Sequence, residues 1–202
     1  MRPLGTVLIT GGASGLGAAT VAAVRAEGGR PLVIDRVASA DGVDHVQADL
    51  ADRAATEAAV AHLAEDWERV VAVNLFGTAR VVRAALPHLE RSHGTVVTCA
   101  STLGIKAVAD ATAYCAAKFG VVGFTRALAA ETAGRVGVTL LVPGGMHTAF
   151  FDDRAEQYKP PPDAKLNRPE DVAATVVFAL RQPPGCQLRE MVVCSSEESS
   201  WP

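Results

Sequence analysis

The segment Thr6–Gly17, with the sequence TVLITGGASGLG, decides the fold of this 202-residue chain. Its first part, Thr6–Thr10, is a short apolar run typical of a buried strand, and a helix is predicted from about Ala18 onward. The backbone between them can turn tightly and approach a bound group closely, because it contains three glycines: Gly11, Gly15 and Gly17. The start of the helix then offers free N–H groups and a partial positive charge to a pyrophosphate. The alternative is a tight strand-to-helix turn that binds nothing.

A second segment, Ser101–Lys118 (STLGIKAVADATAYCAAK), carries side chains suited to acid/base chemistry. Tyr114 and Lys118 are four residues apart, so on a helix they lie on one face. An ammonium group beside a phenol stabilises the phenolate, which suits the tyrosine to proton transfer at neutral pH. Ser101 ends the apolar run Thr95–Ala100, and its hydroxyl can hold a substrate carbonyl or hydroxyl in place.

The chain resembles the short-chain dehydrogenase/reductase family over nearly its whole length, through the TGGASGLG turn, Asn74, Ser101 and the YCAAK sequence that begins at Tyr114. The resemblance implies an α/β fold, a Rossmann-like doubly wound parallel sheet with helices on both faces, in a single domain over residues 1–202. It also implies an NAD(P)-dependent oxidoreductase that interconverts a secondary alcohol and a ketone by hydride transfer.

The resemblance assigns four catalytic residues. Tyr114 is the expected acid/base, and Lys118 is expected to support the phenolate and to hold the nicotinamide ribose. Ser101 is expected to position the substrate oxygen, and Asn74 to anchor a water relay. Because the helix that carries Tyr114 packs against its copy in other members of the family, a homodimer or homotetramer is expected as well.

An acidic residue at the end of the second predicted strand, Pro31–Asp35, indicates which dinucleotide binds. Asp35 lies about where a carboxylate binds the adenosine ribose hydroxyls, and it would repel a 2′-phosphate. We therefore expect NAD, although Arg36 follows directly and NADP stays possible. The alternative is an aspartate that merely ends a strand.

The resemblance also supplies the remaining cofactor contacts. Asp49 and Leu50, after the predicted strand His45–Ala48, are expected to contact the adenine. The nicotinamide amide and the phosphates are expected to meet the sequence Pro143-Gly-Gly-Met-His-Thr148. The full expected cofactor set is Gly11, Ser14, Gly15, Leu16, Gly17, Asp35, Asp49, Leu50, Lys118, Pro143, Gly144 and Thr148.

One stretch departs from the family. A predicted helix over Asp52–Trp67 leads directly into Arg69–Asn74 (RVVAVN), where the family has a fourth strand with an Asn-Asn-Ala-Gly turn before its asparagine helix. Closing a sheet over a missing strand would shift its neighbours by ~4.8 Å, and a displacement of even ~1 Å can cost on the order of 100-fold in rate. We favour a helix for Arg69–Asn74. The alternative is that these residues fill the vacant strand.

Two further predictions concern the second half of the chain. Thr78–Arg91 is expected to form a helix that Pro87 ends or kinks. The stretch Ala149–Asn167 is expected to form a lid over the substrate, with Phe150, Phe151 and Tyr158, or a loop packed on the surface.

Composition limits the other classes of function. Charges of both signs are scattered and sum to −3, which argues against nucleic acid or an anionic membrane as the main partner. The four cysteines show no CxxC pair and no metal-ligand spacing, so we expect no metal and a reducing, cytoplasmic setting. The chain enters its first predicted strand within a few residues and contains no apolar run near ~18 residues, so no signal peptide or membrane span is expected.

Two functions from different classes remain on the sequence alone. The complete Asn–Ser–Tyr–Lys set favours an enzyme that acts on a small alcohol or ketone. The missing strand favours a shortened member of the family that binds the dinucleotide without turnover, as a scaffold or sensor.

Overall fold

The computed structural model describes residues 4–37, 43–47, 62–152 and 159–201. Its strands are β1 (Thr6–Thr10), β2 (Arg30–Asp35), β3 (Asp44–Gln47), β4 (Thr95–Cys99), β5 (Gly137–Pro143) and β6 (Glu190–Val193). Its α-helices are α1 (Gly15–Ala26), α2 (His62–Val71), α3 (Thr78–Ser92), α4 (Thr112–Glu131) and α5 (Pro169–Leu180). A π-helical turn, Ala72–Gly77, joins α2 to α3, and two 3₁₀ turns cover Thr102–Gly104 and Ala149–Phe151.

The strands form two three-stranded sheets, in the orders β1-β2-β3 and β4-β5-β6. β1, β2 and β3 run parallel, as do β4 and β5, which pair from Thr95 with Gly137 to Cys99 with Leu141. Alternation of strands with helices therefore produces parallel pairing, as predicted. The described residues between β3 and β4 form helix and no strand, while residues 48–61 lie outside the described part of the chain.

The chain packs as two compact units, of which the first comprises Met1–Ala48, Pro143–Cys186 and Val193–Trp201. Its core joins β1 and β2 to α1 and α5 through Ile9, Val21, Val24, Val33 and Val177. Full burial of one such side chain contributes roughly 1.5–3 kcal/mol. Helix α1 ends at Ala26, because Gly28 adopts a left-handed φ of 74° and the N–H of Gly29 donates to the carbonyl of Val24.

The second unit comprises Asp49–Val142, Gln187–Val192 and Pro202. Its central strand, β5, is buried from Val138 onward because α4 covers it with small and β-branched side chains. One cluster contains Ala100, Val121, Val122, Leu140 and Val142, with Leu75 packed against it. A second contains Val82, Leu128, Val136 and Val138. The prediction of one domain over residues 1–202 stays a prediction.

The favoured helix for Arg69–Asn74 is confirmed, and the strand alternative is wrong. The described chain is helical without a break from His62 to Ser92, first as α2, then as the π-helical turn, then as α3.

The expectation that Pro87 would end or kink the helix is wrong in its first form, because α3 continues to Ser92. Proline in a helix interior costs ~3 kcal/mol. Residues on both sides of it, Val82, Leu86 and Leu89, pack in the cluster with Val136 and Val138, and this burial offsets the cost.

One helical stretch has a more apolar character than the sequence suggested. Trp67–Ser92 spans 26 residues with a mean hydropathy of 1.3 in its most apolar window, of which 11% is buried. By length and composition it could cross a membrane, but a single such helix is weak evidence because helices of soluble proteins meet the same criteria. Few of its residues are fully buried, and Trp67 and Phe76 are exposed at 47% and 53%.

Candidate active site

The glycine turn between β1 and α1 is built around contacts that only glycine permits. Gly11 and Gly15 have left-handed φ angles of 69° and 50°. A Cβ on Gly17 would lie 1.9 Å from the carbonyl oxygen of Gly11, so the start of the helix rests directly on the turn. Ser14 caps α1 in extended conformation, and its side chain makes no capping hydrogen bond. The first-turn N–H groups, including that of Leu16, are thus placed to receive an anion.

Asp35, at the end of β2, fastens this turn to the sheet. Its Oδ2 accepts a 2.9 Å hydrogen bond from the N–H of Ala13, and its Oδ1 accepts one of 3.0 Å from the N–H of Val37. The N–H of Gly11 donates to the carbonyl of Ile34 at 2.9 Å. A carboxylate has about four lone-pair sites, so Asp35 keeps acceptor capacity for ribose hydroxyls beside the turn.

Thr148, in the second chain segment of the first unit, packs against the same glycine turn. A Cβ built on Gly15 would lie 3.5 Å from Cγ2 of Thr148, so the two residues are neighbours. The Thr148 hydroxyl oxygen accepts from the N–H of Phe150 at 3.3 Å. The structure thus brings Thr148 to the N-terminus of α1, where the sequence predicts the pyrophosphate site.

The turn that follows Pro143 is held from two sides. On one side, Asn167 donates its N–H to the carbonyl of Gly145 and accepts from the N–H of His147, each at 2.9 Å. On the other side, the N–H of Gly144 donates to the carbonyl of Val193 at 2.9 Å. Met146 and Asn167 thus form an isolated parallel β-bridge. Its hydrogen bonds are made by Gly145 and His147, on either side of Met146, which leaves the amide and carbonyl of Met146 outside the pairing.

The C-terminal tail adds a contact that the sequence did not predict. The carboxylate of Glu198 accepts a hydrogen bond from the N–H of Gly145 at 2.8 Å. Burial raises the pKa of Glu198, but hydrogen bonds from Ser200 and Gly145 lower it further, so its net pKa lies below the ordinary value. Nothing in the polar sequence SSEESSWP distinguishes this glutamate from its neighbour Glu197.

In the second unit, α4 presents Tyr114 and Lys118 toward the end of β4. Lys118 is only 9% exposed. Its ammonium donates to the carbonyl of Cys99 at 3.1 Å and lies 5.5 Å from the centre of the Tyr114 ring. The shared helix face predicted from their spacing is confirmed. A buried ammonium needs hydrogen-bond partners, and the donors that Cys99 does not use can serve a ligand.

Ser101 follows β4 directly and caps the 3₁₀ turn Thr102–Gly104. Its Oγ accepts from the N–H of Leu103 at 3.1 Å, which leaves the hydroxyl hydrogen to donate to a substrate oxygen. A Cβ on Gly104 would lie 2.7 Å from the backbone oxygen of Lys118. The turn after Ser101 therefore packs directly on α4 at the lysine, which brings serine and lysine into one neighbourhood.

Asn74 lies in the π-helical turn, a feature that is frequent at functional sites. Its side-chain amide donates to the carbonyl of Val70 at 2.9 Å, and its own carbonyl accepts from the Thr78 hydroxyl at 2.8 Å. The next residue, Leu75, packs against α4, since a Cβ on Gly120 would lie 2.6 Å from Leu75 Cδ2. The asparagine segment thus lies against the helix of the tyrosine and lysine, while its side chain is bonded within its own helix.

The predicted residues are therefore assembled in two sets, each within one unit. The catalytic set, Asn74, Ser101, Tyr114 and Lys118, belongs to the second unit, and the described cofactor set apart from Lys118 belongs to the first. Asp49, Leu50 and Tyr158 lie outside the described residues. Within the described ranges, no group of three His, Cys, Asp or Glu side chains is arranged to hold a metal ion.

Sequence comparison finds one family. The description "short chain dehydrogenase" belongs to the family model that matches residues 58–159. D-threitol dehydrogenase from Mycolicibacterium smegmatis is 31% identical over 219 aligned positions, covering 85% of this chain and 84% of the relative. Short-chain reductase protein NovJ from Streptomyces niveus is 31% identical over 238 positions, covering 92% and 90%. Both alignments are longer than this 202-residue chain, so each relative has residues without a counterpart here.

Structural comparison finds the same architecture in solved proteins. The closed form of serine dehydrogenase complexed with NADP+ matches with a TM-score of 0.83 at 22% identity, covering 96% of both chains. The 3-ketoacyl-(acyl-carrier-protein) reductase from Brucella melitensis, complexed with NADH, matches with 0.78 at 21% identity, covering 95% of this chain and 97% of that one. The predicted Rossmann-like α/β fold is confirmed.

Proposed function

Because the chain belongs to the short-chain dehydrogenase family, we propose that this oxidoreductase interconverts a secondary alcohol and a ketone with a nicotinamide dinucleotide. The observation that carries the proposal is the placement of Lys118. Its buried ammonium lies between the Tyr114 ring and the carbonyl of Cys99, two residues before Ser101. A buried cation beside a tyrosine ring suits proton transfer at a substrate oxygen.

Each catalytic side chain has a distinct task in the proposed reaction. The Ser101 hydroxyl donates to the substrate oxygen and holds it. The Tyr114 phenol gives a proton to that oxygen in reduction and takes it away in oxidation. The Lys118 ammonium stabilises the phenolate that results. The bound nicotinamide supplies or accepts the hydride. Asn74 is proposed to anchor a water relay, supported by its position in the π-helical turn against α4.

The first unit fits the dinucleotide. Gly17 leaves no room for a side chain against Gly11, the N-terminus of α1 is open to an anion, and Thr148 adjoins Gly15. These residues would hold the pyrophosphate, and the Asp35 carboxylate would hold the adenosine ribose. Its negative charge favours NAD over NADP in the proposal, although solved neighbours are complexed with either NADP+ or NADH.

The dinucleotide-binding scaffold without turnover is the less favoured function, because a binding protein has no need of the tyrosine, lysine and serine gathered at β4 and α4. The proposed partners are a small alcohol or ketone and a second copy of the chain. The second copy is supported by the two exposed aromatic side chains of the helical stretch Trp67–Ser92, Trp67 at 47% and Phe76 at 53%. A cytoplasmic location is proposed as well, supported by four cysteines that are free thiols.

The test is turnover of a panel of secondary alcohols and ketones by the Tyr114→Phe variant. The substitution removes the phenol oxygen and keeps the ring, so we expect loss of turnover by ~100-fold or more with unchanged affinity for NADH. Phe178→Leu, at an exposed aromatic residue of α5 outside the proposed site, is the control and should retain turnover. Equal turnover by Tyr114→Phe and the natural protein would contradict the mechanism.

A further inference from the structure

The C-terminal tail returns to the Gly144–Gly145 turn and closes directly over it. The Glu198 carboxylate accepts the Gly145 N–H at 2.8 Å. A Cβ on Gly144 would lie 2.3 Å from Oε2 of Glu198, so the carboxylate rests against the glycine backbone itself. Both glycines and Glu198 belong to the first unit.

Glu198 is itself fixed by its surroundings. Its Oε1 accepts from the N–H of Ser200 at 3.1 Å and from the Ser200 hydroxyl at 2.6 Å. Its own N–H donates to the carbonyl of Ser195 at 3.2 Å. Hydrogen bonds to an ionised acceptor are roughly twice as strong as neutral ones. The Glu198 carboxylate therefore holds the Gly145 N–H more strongly than a neutral acceptor would.

The turn that Glu198 holds has several of its polar backbone groups already paired. Val193 and Asn167 already occupy the N–H of Gly144, the carbonyl of Gly145 and the N–H of His147. With Glu198 on the N–H of Gly145, the residues on both sides of Met146 are held by hydrogen bonds, while the amide and carbonyl of Met146 lie outside the bridge with Asn167. A fixed donor and acceptor pair binds a ligand amide with less loss of entropy than a mobile one.

We propose that Glu198 is a positioning residue, which fixes the Gly144–Met146 backbone in the conformation that receives the nicotinamide end of the dinucleotide. The tail is then a working part of the cofactor site. This inference rests on the proposed function, because it assumes that the dinucleotide binds in the first unit. It specifies which end of the cofactor depends on the tail.

The two ends of the cofactor separate this role from a general structural one. ADP-ribose carries the adenosine and the pyrophosphate but no nicotinamide. Loss of Glu198 should therefore weaken the binding of NADH and leave the binding of ADP-ribose nearly unchanged. General damage to the first unit would weaken the binding of both ligands, because the glycine turn and Asp35 belong to the same unit.

The experiment is calorimetric titration of the full chain with NADH and with ADP-ribose, for the natural protein, Glu198→Ala, Glu198→Gln and Glu197→Ala. Glu198→Ala leaves the Gly145 N–H without its acceptor, and we expect NADH to bind about tenfold more weakly, with ADP-ribose within about twofold. Glu198→Gln keeps an oxygen acceptor and should recover most of the affinity. Glu197→Ala, at the exposed neighbour, should bind both like the natural protein.

Each other outcome overturns the inference in a recognisable way. Unchanged NADH affinity in Glu198→Ala, or equal weakening of both ligands, shows that Glu198 does not position the nicotinamide end. If the natural protein binds neither ligand, the proposed function fails, and this inference fails with it.

A measurement without any ligand tests the same hydrogen bond between Gly145 and Glu198. Amide hydrogen exchange in the peptide that covers residues 143–148 should be faster in Glu198→Ala than in Glu197→Ala, because the Gly145 N–H loses its acceptor. Equal exchange in the two variants contradicts the proposed role. Equal thermal unfolding of the variants shows that each one is folded.

Discussion

Replacement of Gly17 by alanine should disrupt the glycine turn more than any other single methyl group in the first unit. The added Cβ would lie 1.9 Å from the carbonyl oxygen and 2.6 Å from the carbonyl carbon of Gly11. Ordinary contact begins at 3.4 Å, so the helix or the turn must move by about 1.5 Å, because neither atom belongs to a flexible side chain. Overpacking of this kind costs ~1–3 kcal/mol, against a gain of ~1 kcal/mol from replacing glycine in a helix.

We therefore expect Gly17→Ala to lose up to about 2 kcal/mol of unfolding free energy and to bind NADH at least about tenfold more weakly. Urea denaturation measures the first quantity and fluorescence titration the second. Gly5→Ala is the control, because a Cβ there has no atom within 4 Å and the residue lies in the same unit, so it should change neither. A Gly17→Ala variant as stable as the natural protein and with equal NADH affinity would refute the packing argument.

Two further predictions concern the second unit. Gly104→Ala should reduce kcat by ~10-fold or more with a retained fold in circular dichroism, because its Cβ would meet the Lys118 backbone oxygen at 2.7 Å; an unchanged kcat would contradict this. Arg126→Gln should cost less than ~1 kcal/mol at neutral pH, since both partners of the 2.7 Å pair with Glu190 are well exposed. The hydrogen bond from Arg126 lowers the pKa of Glu190, so this stabilisation is complete above the ordinary pKa of a glutamate and is lost as pH falls through the lowered one. Urea denaturation of both proteins at a series of pH values should show a stability difference at pH 7 that shrinks as the pH falls below the ordinary pKa of a glutamate.

The sequence predicted those parts of the molecule in which local pattern and chemistry agree. The apolar run, the glycine turn and the following helix all belong to one short segment. Only the first residue of the helix differs from the prediction, Gly15 in place of about Ala18. The four-residue spacing of Tyr114 and Lys118 predicted their common face, because residues four apart lie on the same side of a helix. The helix predicted over Arg69–Asn74 is confirmed, although valine favours strands. In the structure, packing of Leu75 on Gly120 overrides this local propensity.

Other features depended on contacts between residues far apart in sequence. The passage of α3 through Pro87 depends on packing against Val136 and Val138, about 50 residues later, which no local pattern reveals. Glu198 contacts Gly145 across 53 residues, and its tail has the composition of a solvated end. The alternation of strands and helices likewise cannot show where one sheet ends, so the division into two three-stranded sheets was not foreseen.

The most direct test of the central claim is fluorescence titration of the purified protein with NADH and, in parallel, with NADPH. We expect saturable binding of NADH and distinctly weaker binding of NADPH, because the glycine turn is formed and the Asp35 carboxylate lies beside it. Failure of both dinucleotides to bind would contradict the proposed function, since the proposed oxidoreductase requires one of them.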